Sequence, residues 1–80
     1  MKAPRTRGVS FRTAVVAVSH GGQARRPVHP KGTCLISAGG TLVWKCFGQG
    51  VYTTHLPVAD CLAEDWSIIS WGDTPEADRQ

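Results

Sequence analysis

Asp60-Cys61-Leu62-Ala63-Glu64-Asp65-Trp66, running on into Ser67-Ile68-Ile69, is the stretch on which the reading of this chain turns. Pro57 suits the first turn of a short helix, where its missing N–H costs nothing. Leu62 and Ala63 offer that helix a small apolar face. Trp66, Ile68 and Ile69, with Trp71 beyond, then form an apolar, β-favouring run of strand length. The stretch predicts a short helix, Pro57 to Ala63, passing without a loop into a last strand, Asp65 to Trp71.

Working back from it, Ser10 is placed to cap a first helix, and Phe11, Ala14, Val15 and Val18 follow at the spacing of one helical face. Val15, Val16 and Val18 are β-branched and lower helix propensity, so periodicity and propensity disagree; the reading favours helix, stopped by Gly21-Gly22. Strands are predicted from Gln23 to His29, Thr33 to Ser37, Thr41 to Cys46 and Val51 to His55. Pro27 and Pro30 confine the first of these to a sheet edge or end it early. Gly39-Gly40 reads as the turn of a hairpin. The expected fold is therefore α+β: a small antiparallel sheet cradling one N-terminal helix, plus a short helix before the last strand. Its expected parts are a basic flexible arm over 1–9, one domain over 10–71 and an acidic flexible tail over 72–80. One helix covers only one face of such a sheet, and 80 residues bury little, so association into a homo-oligomer is expected.

The net charge of +3 conceals a polarity. Lys2, Arg5, Arg7, Arg12, Arg25, Arg26 and Lys31 lie in the first 31 residues, which contain no acid; every Asp and Glu lies at or beyond Asp60. Either an anionic partner meets the front half, or the two halves complement one another within or between copies. No apolar run approaches the roughly 18 residues of a membrane span, and the basic N-terminus has no apolar signal region after it. A cytoplasmic location is expected.

Three cysteines, Cys34, Cys46 and Cys61, form no close pair, which argues against a disulfide framework and a paired-cysteine zinc site. They read as small core hydrophobes. No local signature surrounds any of them as nucleophile, and His20, His29 and His55 fall near element ends. No enzyme, metal site or cofactor is expected. Anion binding is better supported: Arg25-Arg26 and Lys31 bracket a turn, arginine's planar fork suits phosphate, and Gly32 lets backbone come close to a ligand. Consecutive strand residues point to opposite faces, so Arg25 and Arg26 share a ligand only across a bulge or a subunit boundary. A nucleic-acid-binding accessory protein is the alternative, using Arg5, Arg7, Arg12 and the Arg25-Arg26 pair, although no helix-turn-helix, zinc finger or paired-aromatic sheet motif is visible.

Phe11-x-x-Ala14-x-x-Ala17-x-x-x-Gly21-x-x-Ala24-Arg25-Arg26, then Lys31-Gly32 and Leu35, resembles the front of the second Thoeris anti-defence family of phages. That family reads roughly F-x-x-A-x-x-A-L-x-x-G-x-x-V-x-R-x-G-W-N-G-K-G. Asp60-x-Leu62-Ala63-Glu64-Asp65-Trp66 is similar to its D-L-L-A-E-D-W ending, and the two motifs bracket residues 11–71. The resemblance implies a central helix cradled by an antiparallel sheet in a homo-oligomer, a dimer or the family's tetramer, in the cytoplasm of an infected bacterial host. It implies sequestration without catalysis: the protein acts as a sponge for a cyclic nucleotide or cyclic ADP-ribose-type immune signal, lowering free messenger by mass action. Pro27-Val28-His29-Pro30 stands where the family has G-W-N-G, Thr54 stands in place of a second tryptophan, and Pro57 replaces a serine. These departures predict a pocket without its aromatic stacking face. By matched position Arg25 is the expected phosphate ligand, with Arg26 and Lys31 beside it. Phe11 lines the pocket or packs in the core, His29 and Thr54 donate to a phosphate or ribose hydroxyl, and Asp60 is a ligand-site residue or a helix cap. Trp66 is assigned to the core.

Overall fold

The computed structural model describes residues 6–29, 32–46, 51–53 (backbone only) and 56–79. The elements, in chain order, are α1 Phe11–Ser19, β1 Gln23–Arg25, β2 Thr33–Ala38, β3 Thr41–Cys46, β4 Val51–Thr53, α2 Val58–Leu62, β5 Ser67–Ser70 and a 3₁₀ turn, Glu76–Asp78. The five strands form one antiparallel sheet in the order β4-β3-β2-β1-β5. The α+β architecture expected from the residue pattern is the one observed. None of the helices among the described residues is long and apolar enough to cross a membrane.

The disagreement between periodicity and propensity in the first element is settled by burial. Ala14, Ala17 and Val18 are fully buried, and this tertiary contact outweighs the small propensity cost of valine. Ser10 caps α1, its Oγ accepting from the Thr13 N–H at 3.3 Å. At the other end the Gly22 N–H donates to Ala17 O and the Gly21 N–H to Val18 O, the paired bonds of a Schellman stop. A Cβ at Gly22 would overlap the carbonyl oxygens of Ser70 and Ala17, so the turn from α1 into β1 lies directly against the end of β5. Ala14, Ala17 and Ala24 are small, which lets α1 settle closely on the sheet. Leu35, Trp66, Ile68 and Val9 complete the core, with Phe11, Trp44, Leu42 and Trp71 packed around it.

β2 and β3 pair over six residues each, from Thr33↔Cys46 to Ala38↔Thr41. Their two-residue loop is Gly39-Gly40 with φ of 60° and 79°, both left-handed, as a primed turn that matches strand twist requires.

Several boundaries differ from the expectation. β1 ends at Arg25 rather than His29, and it lies between β2 and β5 rather than at an edge. Pro27 ends it early, and the His29 N–H turns back to donate to Arg26 O. The arm expected over 1–9 is not free at residues 6–9. Val9 and Trp66 exchange backbone bonds of 3.0 and 3.1 Å, the Ile68 N–H donates to Thr6 O at 2.7 Å, and Val9 enters the core. The tail expected over 72–80 is likewise held at 72–79. The Asp73 N–H donates to His20 O, Thr74 is buried with its hydroxyl on Trp71 O, and Arg79 lies over the Trp71 ring. The apolar face expected from Leu62 and Ala63 is half realised: Ala63 packs against the core, whereas Leu62 is 77% exposed, and the buried residue of α2 is Asp60. Of the three cysteines only Cys34 is fully buried; Cys46 and Cys61 are half-buried.

Candidate functional site

The residues singled out from the sequence separate onto the two faces of the sheet. Ala24 is buried against α1, so Arg25, the next residue on β1, points to the opposite face. Arg26 follows the end of the strand and returns to the helix side.

On the helix side, Arg26 joins two acids that are 34 and 39 residues away. Its Nη1 donates to Asp60 Oδ1 at 2.5 Å, its Nε to Asp65 Oδ1 at 2.6 Å and its Nη2 to Asp65 Oδ2 at 3.3 Å. The pairing with Asp65 is the two-pronged fork that suits guanidinium and carboxylate. It raises the Arg26 pKa still further, Asp65 contributing more than Asp60, and it holds the Asp65 carboxyl below the usual carboxylate range. His29 closes the cluster. Its Nδ1 accepts from the Arg26 N–H at 3.0 Å, which assigns the ring proton to Nε2, 3.3 Å from Asp60 Oδ1.

The cluster rests on aromatic rings. The His29 ring stands edge-on to Trp44 at 4.4 Å and to Trp66 at 5.5 Å; Trp44 and Trp66 lie nearly parallel at 6.2 Å, and Phe11 sits 5.5 Å from Trp66. Trp66 is wholly buried and its Nε1–H donates to Asp60 O at 2.9 Å. Asp60 is not a helix cap: Pro57 occupies that position, and the Asp60 carboxylate instead anchors α2 to Arg26 and His29. With His29 neutral this group pairs one cation with two carboxylates, and it joins α2, β5 and the chain after β1. Three of the five Arg26 N–H groups are held by carboxylates, whose negative charge opposes a phosphate at this guanidinium. Phe11 packs on Trp66 at the core. Lys31 and Thr54 lie outside the described residues, as does His55.

The opposite face carries a different arrangement. Arg25 donates from Nη2 to His29 O at 2.7 Å, while its Nε is buried with no hydrogen-bond partner. It lines a cleft of about 500 Å³ together with Arg7. Thr6 and Ser67 contribute hydroxyl-bearing residues to the walls, and Pro27 and Ile69 an apolar side. Arg7 comes from the segment paired with β5, and Gly8, at φ 65°, breaks the strand alternation between Arg7 and the buried Val9. Of the cleft, Arg25 was legible as the expected phosphate ligand and Arg7 only under the nucleic-acid alternative. Arg7 stood out from the sequence as a basic residue, but nothing local to it places it beside Arg25. Thr6, Ser67 and Ile69 carry no sequence signal as ligand residues.

The chemistry available here is recognition by cations and hydroxyls. Burial pushes the Cys34 thiol up, keeping it protonated and a poor nucleophile. Both ring nitrogens of His29 are engaged in the cluster. No group of three His, Cys, Asp or Glu that could hold a metal ion occurs among the described residues. No protein-family model, curated protein or solved structure matches the chain.

Proposed function

We propose that this chain is a non-catalytic binding protein for a small phosphate-bearing ligand of the cyclic nucleotide or cyclic ADP-ribose type, which it sequesters as a homo-oligomer during phage infection. The observation that carries the reading is Arg25, which lines a cleft and meets no carboxylate among the described residues. Its guanidinium is held by a backbone carbonyl, His29 O, rather than neutralised by an acid, and such a fork suits a phosphate. The family resemblance of the two motifs supplies the messenger class. Exposed Val28, Val58 and Leu62 offer apolar surface for contact between copies.

Native mass spectrometry against a panel of cyclic dinucleotides, cyclic trinucleotides and cyclic ADP-ribose isomers tests this reading. A dimer or tetramer that retains one ligand supports it, with Arg25→Ala reducing retention about tenfold while the protein stays folded. An oligomer that retains none of the panel, or that binds a random DNA duplex with steep salt dependence instead, overturns it.

A further inference from the structure

Resting on that reading, we infer that the phosphate site is the cleft between Arg7 and Arg25, and that it exists only while residues 6–9 are paired with β5. The sheet supplies Arg25 and Ser67 from β1 and β5, which are register partners, so these two residues are fixed side by side. Arg7 and Thr6 come from outside the sheet. They reach the cleft because the Ile68 N–H bonds Thr6 O and because Val9 is locked into the core against Trp66. Arg7 and Arg25 both line this one cavity, and an anion held there gains the attraction of both charges. The hydroxyls can complete a tetrahedral phosphate's coordination, and Pro27 and Ile69 give a wall against which the ligand's less polar part can lie. The size suits a small phosphate ester rather than a duplex backbone, which would need a run of cations along an open surface. By linkage, a ligand that bridges Arg7 and Arg25 strengthens the docking of residues 6–9 by as much as that docking strengthens the ligand's binding.

The test follows the arginine Nε–H resonances of the full-length, ¹⁵N-labelled protein on addition of potassium phosphate, with potassium chloride at equal ionic strength as the control. Phosphate is expected to shift the Arg7 and Arg25 signals and leave Arg26, held by its two carboxylates, in place. The amides of Thr6 and Ile68 should gain protection from hydrogen exchange in the same titration. Arg7→Ala and Arg25→Ala should each weaken phosphate binding about tenfold, with Arg7→Lys recovering part of the loss. Equal shifts at Arg7, Arg12, Arg25 and Arg26, or none, would overturn the cleft as a site. A cyclic dinucleotide that binds equally well to the parent and to Arg7→Ala would overturn the cleft while leaving the sequestration reading intact. Selective phosphate shifts at Arg7 and Arg25 without retention of any cyclic nucleotide would uphold the cleft and defeat the messenger class.

Discussion

Arg26 and Arg25 are neighbours with opposite fates, decided by which side of the sheet each reaches. Arg26 meets Asp60 and Asp65 and becomes a structural tie. Its loss would leave Asp60, 7% exposed, as a buried carboxylate without its guanidinium. Arg26→Ala should therefore lower Tm by several degrees, against almost no change for Arg12→Ala on the exposed side of α1; differential scanning calorimetry separates the two. The pH dependence follows from Asp65. Its carboxyl is held below its ordinary value chiefly by the Arg26 hydrogen bonds. A depressed folded-state pKa gives stability that is fully present above the unfolded value, about 3.9 for Asp, and is lost as pH falls through the folded value. Tm of the parent should fall more steeply than that of Asp65→Asn between about pH 5 and 2, the variant being less stable above that window. Parallel curves would remove Asp65 from the account of acid stability.

At the scale of elements, the local rules held wherever neighbouring residues could satisfy them. Ser10 caps α1, Gly21 and Gly22 close it, and Gly39-Gly40 turns the β2–β3 hairpin, all from groups within a few residues. The two glycines after α1 differ in what they do. A Cβ at Gly21 would meet nothing within 4 Å, whereas one at Gly22 would run into backbone of Ser70 and Ala17. Gly21→Ala should cost about 1–2 kcal/mol for its left-handed backbone alone, at φ 88°. Gly22→Ala should be worse, separating α1 from the end of β5, and urea unfolding of the pair gives the comparison. α2 shows where local reading failed. Leu62 and Ala63 suggested an apolar face; Ala63 does pack against the core, yet Leu62 turns out and the helix buries Asp60. The carboxylate's partners, Arg26 and His29, are 34 and 31 residues away, and nothing near α2 announces them.

Across the whole molecule, the separation of basic front and acidic back resolves in part within one chain. Arg26 from the front pairs with Asp60 and Asp65 from the back, and the acidic C-terminal segment is tied to the end of α1 by the Asp73 N–H, which donates to His20 O. On the face away from α1, Arg7 and Arg25 line one cleft. A ligand held by two arginines should lose affinity only gently as salt rises, with a log–log slope no steeper than about −2. Titration of a cyclic dinucleotide at several chloride concentrations measures it. A much steeper slope would mean that the charged surface acts as a whole, in the manner of a nucleic-acid binder.

The amino-acid sequence by itself determined the elements and their order: a capped, amphipathic first helix, a glycine-turned hairpin, and a short helix running to a last strand that begins near Trp66. Caps, turns and alternation act over a few residues, so they are written where they operate. Tertiary structure alone decided what the charged residues are for. The side of the sheet on which β1 ends sends Arg26 to two distant carboxylates and Arg25 to a cleft. Pairing of residues 6–9 with β5 turns an expected loose arm into one wall of that cleft. Both outcomes depend on contacts between residues 34 to 62 positions apart, and such contacts are set by how the core packs rather than by any local pattern.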